Sequence, residues 1–408
     1  MIKMSKPYLR TDKDTVFMEC EFLYNNEKTT LYYATTPEYA RYLSFERADA
    51  FLLGILLFAM RKGEDIVIDA PISEKLYYNL STLVVPTFAV AYHYKKIKIR
   101  SSALDATVLK AEGEHNLSCA VGTGCSLGID SLSTILYYTS DRVPKNYQIT
   151  HLTFFNVGAH GNDVEKATIS YNNDYSMIKE YADYKQMPLV TLSSNIGILY
   201  KGWNFDNCHL TRNIGAVLAF QKLFCHYVYA SSHDISVLKL SDKATGYFET
   251  VIAPNLSTEN TEVSIGLPDY TRTEKTRLVS EYPETYKTLY VCWKQILMND
   301  YNGYSVNTES AKRNCGTCEK CKRTMLALDI LKKKDCYEPV FDWGGYNKQR
   351  DALIGYALAN KNRPGKSYWK DLCDLMDEEN FVVPPKAKRY QRKFTILYKL
   401  GLPKMIKF

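Results

Sequence analysis

Three cysteines at two-residue intervals, in Cys315-Gly316-Thr317-Cys318-Glu319-Lys320-Cys321, form the run whose spacing points most directly to chemistry. Thiolates at C-x-x-C-x-x-C spacing converge on one metal ion, because the intervening turn folds its backbone around it, and zinc takes four such ligands in a tetrahedron. A fourth ligand must come from elsewhere. Cys292, in Tyr290-Val291-Cys292-Trp293, is the first choice and Cys336 the second. An iron–sulfur cluster is the rival occupant. Zinc is favoured because Lys322 to Leu328 reads as a helix closing a structural site, which pins the end of a domain and performs no reaction. The other cysteines, Cys20, Cys119, Cys125, Cys208, Cys225 and Cys373, lack paired spacing.

A second stretch, Leu117 to Tyr138, begins as a short apolar run, breaks at Gly122-Thr123-Gly124-Cys125-Ser126-Leu127-Gly128, and resumes with Leu132, Ile135 and Leu136 at helical spacing. That order reads as strand, glycine-rich turn, helix. A helix start leaves several backbone N–H groups unpaired and carries the positive end of the macrodipole, so a turn of small residues there can hold a phosphate. It is not a Walker A loop, since Ile129-Asp130-Ser131 follow where a Lys and a Ser or Thr are needed. Gly365-Lys366-Ser367 echoes a Walker A ending, but no strand precedes it and Asn360 holds the place of the first glycine. Further on, Arg272 and Lys275 lie three apart and share a face if Thr271 opens a helix, a placement that can meet the charge developing on a departing pyrophosphate. The apolar run His151 to Val157 ends at Gly158-Ala159-His160-Gly161. In a parallel sheet ligands bind beyond the carboxyl ends of strands, which places Asn156, Val157 and Gly158 where an adenine or ribose would sit, with His160 close by. Each feature has a plainer alternative: any βα turn, a solvated helix start, a solvated loop histidine.

The turn resembles the Ser-Gly-Gly-x-Asp-Ser signature of the PP-loop ATP pyrophosphatases, which cut ATP between its α and β phosphates. Ser126, Gly128, Asp130 and Ser131 match the signature, and Leu127 stands where the family has its first glycine. The resemblance, over about residues 116 to 335, is to 7-cyano-7-deazaguanine synthase-like proteins. These carry a Ser or Thr segment followed by a basic residue at a helix start, matched by Ser257, Thr258, Arg272 and Lys275. They close the nucleotide domain with one upstream cysteine and a C-x-x-C-x-x-C run, although the separation of Cys292 from Cys315 is longer here. The resemblance implies ATP, Mg2+ and Zn2+ as cofactors, with Ser126, Gly128 and Ser131 cradling pyrophosphate, Asp130 helping to hold magnesium, and Arg272 and Lys275 stabilising the departing charge. The activity implied is adenylation of a carboxylate or amide oxygen on a small acceptor, with a sugar acid of glycan assembly as first guess. A nitrogen nucleophile then displaces AMP. No glutaminase nucleophile is recognisable, so ammonia would arrive free or from a partner. An RNA-modifying or RNA-binding protein, and a nucleotide-binding protein without catalysis, are the competing readings.

The expected fold class is α/β, a doubly wound parallel sheet of the HUP/PP-loop type, at residues 116–335. Residues 1–115 are expected to form an α+β accessory domain. In it, Thr15 to Leu23 and Thr29 to Thr35 pair as a hairpin, Phe45 to Arg61 is a helix, Asp65 to Ala70 a strand, Ser73 to Leu83 a helix and Lys96 to Ser101 a strand. In the second region a helix around Asp174 to Lys185, a strand at Leu189 to Ser193 and a long helix from Arg212 to Tyr229 are expected. Residues 336–408 are expected to be a helical basic extension. Its Lys386 to Phe408 stretch holds eight Lys or Arg and no acid, interleaved with aromatic and aliphatic residues, and suits RNA, an anionic membrane surface or simple docking. No apolar run reaches the ~20 residues of a bilayer span. The start lacks an apolar h-region, and eleven cysteines, an odd count in a protein of this size, suit a reducing setting, so a cytoplasmic protein is expected.

Overall fold

The computed structural model describes residues 1–113, 119–292 and 313–405. Leu117 and Ser118 of the expected first strand, Trp293 beside the candidate fourth ligand, and the end of the basic stretch from 406 on lie outside the described residues. The strands are β1 (Ile2–Met4), β2 (Tyr8–Asp12), β3 (Thr15–Tyr24), β4 (Glu27–Thr35), β5 (Ile66–Ser73), β6 (Ile99–Asp105), β7 (Ala120–Gly124), β8 (His151–Asn156), β9 (Leu189–Ser194), β10 (Phe224–Ala230) and β11 (Glu262–Gly266). They form one sheet in the order β11-β10-β7-β8-β9-β4-β3-β1-β5-β6, with β2 paired to β3.

From β11 to β9 every pairing is parallel. The order reverses at β7, the arrangement of a Rossmann-like sheet with its switch point between β7 and β10. An antiparallel β4–β9 pair joins this half to strands β1 to β6. The β3–β4 hairpin matches the expectation. Asn25 and Asn26 both take positive φ, as a two-residue primed turn requires.

The described chain packs as two compact units, Met1–Cys125 with Tyr137–Pro268, and Ser126–Leu136 with Asp269–Phe408. The first holds the whole sheet. Among its helices, Asp49–Lys62 is buried on nearly every side and packs on His209–Ala219, while Val164–Tyr184 lies against β8 and β9. The second is helical, with Arg272–Ser280, Glu319–Ile330, Trp343–Asn360, Ser367–Glu378 and Pro385–Lys399 closing on Met325, Leu328, Trp343, Tyr346, Leu353 and Trp369. No helix among the described residues is long and apolar enough to cross a membrane.

Two expectations need correction. The long helix from Arg212 to Tyr229 does not exist: the helix stops at Ala219 and β10 begins at Phe224. Two buried apolar stretches separated only by Gln221 and Lys222 cannot be told apart as helix and strand by periodicity, and the aromatic and β-branched residues of Phe-Cys-His-Tyr-Val-Tyr favour strand. The link is anchored through its polar residues, Gln221 to Asp49 and Lys222 to Glu46. The second is an omission: no strand was expected between Thr258 and Arg272, where β11 lies, an edge strand too short to show a pattern.

The packing of Asp49–Lys62 on His209–Ala219 depends on two glycines. A Cβ on Gly215 would lie 2.8 Å from the Ala50 carbonyl oxygen and 3.3 Å from the Gly54 nitrogen. The tyrosines beside them are used as donors: Tyr33 Oη bonds the Ala50 carbonyl at 3.1 Å and Tyr200 Oη the Gly54 carbonyl at 2.7 Å. Because the obstacle at Gly215 is backbone, Gly215→Ala should destabilise the protein by roughly 1–3 kcal/mol. Urea denaturation checks this, and an unchanged midpoint would show that the helices separate without cost.

Candidate functional site

The helix Arg272–Ser280 begins with a capping box. The Glu274 amide donates to Thr271 Oγ1 at 3.3 Å, and the Thr271 amide donates to the Glu274 carboxylate at 2.7 Å. This fixes the first turn, so Arg272 and Lys275 emerge on one face. Both reach Asp130, the second residue of the helix Ile129–Tyr138. Arg272 Nη1 pairs with Asp130 Oδ2, and Lys275 Nζ lies 3.9 Å from Oδ1, a buried oxygen without a hydrogen bond among the described residues. Lys275 is itself almost wholly buried. Burial pushes the Asp130 pKa up, but Arg272, Lys275 and then Lys320 together act more strongly, and the net shift is downward.

Lys320 and Arg323, on the helix Glu319–Ile330, are site residues that the sequence reading missed. Burial pulls the Arg323 guanidinium down from its ordinary value, and its Cζ sits 3.9 Å from the centre of the Tyr368 ring. Arg323, Thr324, Ala327, Tyr368 and Leu372 line one cavity with Arg272, Thr273 and Thr276. The signal that could have found them was helical spacing from the last cysteine of the metal run.

In the turn after β7, the Cys125 amide is committed to the Thr153 carbonyl at 2.9 Å. The next amides meet hydroxyls of the turn itself: Ser126 N donates to Ser131 Oγ at 3.2 Å and Gly128 N to Ser126 Oγ at 3.4 Å, with the two hydroxyl oxygens 3.2 Å apart. Hydroxyls rotate, so these amides are held by exchangeable partners. The left-handed residue is Leu127, φ 56°, whose carbonyl accepts from the Tyr290 amide at 2.8 Å.

Just beyond Tyr290 the chain enters the metal site. The side chain of buried Asn314 accepts from the Val291 amide at 2.8 Å and donates to the Leu289 and Val340 carbonyls at 3.0 and 3.1 Å. Asn314 thus clamps the upstream stretch of chain beside Cys315, which brings Cys292 to the knuckle. The sulfurs of Cys292, Cys315, Cys318 and Cys321 all lie within 4.8 Å of one another. The Cys315 and Cys321 sulfurs are 3.9 Å apart. That separation suits the edge of a tetrahedron with Zn–S bonds of about 2.3 Å and is far from the ~2.05 Å of a disulfide. Gly316 supplies the positive φ of the knuckle, 65°, which lets the Thr317 and Cys318 amides donate to Cys315 Sγ at 3.4 and 3.3 Å. Hydrogen bonds from Cys292 and then Cys321 pull the Cys318 thiol far down. The group fits a metal ion such as zinc, and Cys336 lies outside it.

The remaining candidates lie in the first unit. Asn156 and Val157, at the end of β8, have buried side chains. Gly158, φ 133°, admits the buried Arg212 guanidinium, since a Cβ there would be 2.5 Å from Arg212 Cζ. Arg212 in turn donates to Asn162 Oδ1 at 2.7 Å. His160 is buried between Phe154 and Tyr171, with Nε2 3.4 Å from Asp174, and so is not a solvated loop residue. Ser257 and Thr258 build their own turn, Ser257 Oγ bonding Pro254 and Val263, and Thr258 Oγ1 bonding Gln221.

Comparison of the chain with protein-family models, curated proteins and solved structures finds no match. The metal assignment therefore rests on the sulfur geometry. The protein should bind one zinc per chain by elemental analysis. Cys292→Ser should lower the retained metal severalfold, because a four-thiolate site loses a ligand, whereas Cys336→Ser should retain it fully. Equal metal content in the two variants would remove Cys292 from the site.

Proposed function

We propose that the protein is an ATP-dependent, AMP- and pyrophosphate-forming enzyme of the PP-loop kind, which adenylates a carboxylate or amide oxygen of a small acceptor for nitrogen transfer. The observation that carries this reading is the convergence of Arg272 and Lys275 on Asp130 at the head of the helix following the glycine-rich turn. The Rossmann-like half of the sheet would then be of the HUP type, with residues 1–115 as an accessory element and residues from 336 as a basic helical extension.

In this scheme the acceptor oxygen attacks the α phosphorus and the α–β bridging bond breaks, leaving its electron pair on pyrophosphate. Ser126, Gly128 and Ser131 exchange their mutual hydrogen bonds for phosphate oxygens. Arg272 and Lys275 neutralise the charge that grows on the leaving group, and do so without reorganisation because the capping box already sets them. Asp130 Oδ1 is a fitting carboxylate donor for Mg2+, which commonly keeps one or two carboxylates besides water and phosphate. When bound, magnesium supplies further neutralisation of the phosphate charge. The nucleoside is assigned to Asn156, Val157 and Gly158 from their place at the end of β8. Ammonia, free or from a partner protein, then displaces AMP. A sugar acid or glycan precursor is the acceptor class put first, zinc the structural metal, and the cytoplasm the setting.

One observation favours a second reading. The helix Pro385–Lys399 buries only Ala387 and Phe394 and carries Lys386, Lys388, Arg389, Arg392, Lys393 and Lys399 outside its packed face, a surface suited to RNA or to anionic lipid. ATP–pyrophosphate exchange separates the readings. Exchange stimulated by a carboxylate metabolite is expected, and Arg272→Gln or Lys275→Met should lower it by about 10²–10³. Stimulation by RNA alone would shift the assignment to RNA modification. ATP binding without exchange under any acceptor would leave a nucleotide-binding protein only.

A further inference from the structure

The helix Pro385–Lys399 is fixed by one face and leaves the other to solvent. Ala387, Tyr390, Phe394 and Tyr398 recur at helical spacing on the side that packs against Trp343–Asn360, within the second unit. Gly355 permits the approach, since a Cβ there would lie 2.7 Å from the Ala387 carbonyl oxygen. Phe394 meets Tyr356 edge-on and stacks on Tyr390, and the Arg363 guanidinium covers the Tyr398 ring at 3.8 Å. The aromatic rings of this helix are thus engaged inside the unit.

The outer face carries Lys388, Arg389, Arg392, Lys393 and Lys399, all exposed, and no acid. Among the described residues, Lys386 is the one cation of this helix with an ion partner, Asp351 at 4.0 Å. Lys388 with Arg392, and Arg389 with Lys393, are like-charge pairs four residues apart, which repel. Aliphatic side chains are set among them: Ile396 is 56% exposed and Leu400, one turn on, 64%. The helix then ends at Gly401, φ 71°, where the Leu402 amide donates to the Leu397 carbonyl at 2.8 Å in a Schellman turn. Leu402 and Met405 follow, both exposed. A bilayer interface with acidic headgroups satisfies both kinds of residue, because lipid phosphates neutralise the cations while the acyl boundary takes the aliphatic chains. RNA fits less well, since reading unpaired bases takes aromatic platforms and these rings are already covered. A second copy of the chain would set one positive face against another.

We infer that the outer face of Pro385–Lys399, with the turn that follows it, docks on an anionic bilayer surface, its unpaired cations meeting lipid phosphates and Ile396, Leu400, Leu402 and Met405 entering the acyl boundary. The inference develops the second reading above by committing it to lipid, and it does not depend on ATP chemistry.

Flotation of the full zinc-loaded chain with vesicles tests it. Vesicles of phosphatidylcholine with phosphatidylglycerol should carry the protein up the gradient, and vesicles of phosphatidylcholine alone should not. Replacing three cations together, Arg389→Gln, Arg392→Gln and Lys393→Gln, should weaken binding to the anionic vesicles about a hundredfold, at roughly fivefold per cation. Leu400→Ser with Met405→Ser should weaken it about tenfold and make the remainder fully releasable by salt, whereas the wild type keeps part of its binding. All these side chains are exposed, so zinc content and melting temperature should match the wild type. Equal binding to both kinds of vesicle, or binding to neither, overturns the inference. Wild-type affinity in Leu400→Ser with Met405→Ser overturns the entry of the aliphatic chains. Without vesicle binding, an RNA gel shift lost in the triple variant assigns the face to RNA, and a dimer that Leu400→Ser disperses assigns it to a second copy; either result overturns docking on lipid. ATP–pyrophosphate exchange in solution should be the same in all these variants, so failure here leaves the nucleotide reading where it stood.

Discussion

A carboxylate taken partly out of water must keep its charge compensated, and Asp130 does so with cations drawn from two other helices. At about 4 Å and an effective dielectric near 20, one such attraction is worth about 4 kcal/mol before desolvation is subtracted. The Asp130 side chain is still 30% exposed, so solvent reduces that figure. The sign of the pH dependence follows from the net downward shift of its pKa. The ion pairs contribute above the unfolded carboxylate's titration range, near pH 4, and are lost as the pH falls through the lower folded value. Three separate stretches of sequence thus meet at one charge.

The four-cysteine group performs a similar service at the start of the helix Glu319–Ile330. Cys315, Cys318 and Cys321 sit on a short knuckle, but Cys292 is well upstream, and nothing in local geometry would return the chain to that point. Asn314 does so through main-chain groups, satisfying three of them with one buried amide. A buried side chain with that many partners is costly to leave half-bonded, so the clamp and the metal site support one another.

What the sequence made legible follows the range over which each signal acts. The hairpin, the helix start at Thr271, the cysteine knuckle and the strand-turn-helix order are local, and each was readable from residues within a turn or two. The boundary at Phe220 was not, because the preceding helix and β10 are both buried and present the same apolar face to a reader of periodicity. The joining of β4 to β9 was equally hidden, since an antiparallel pair between residues so distant in the chain leaves no mark on either strand. Arg323 escaped notice for a different reason. Its neighbours invited a metal reading, and only the packing of its helix on Arg272–Ser280 shows which way it faces.

Leu127 shows why a departure from a signature in residue type need not be a departure in backbone geometry. Glycine adopts positive φ at no steric cost. Leu127 adopts φ 56° nonetheless. The penalty for a side chain in the left-handed region is about 1–2 kcal/mol. Its side chain is fully buried. Burial of a leucine is worth about 1.5–3 kcal/mol, enough to offset that strain. The Tyr290 amide secures its carbonyl as well. The turn therefore reaches the conformation a glycine would supply, but by packing and a tertiary hydrogen bond in place of backbone freedom. A loop held in that manner keeps its Ser126 and Gly128 amides in fixed directions, each donating to a hydroxyl of the turn itself.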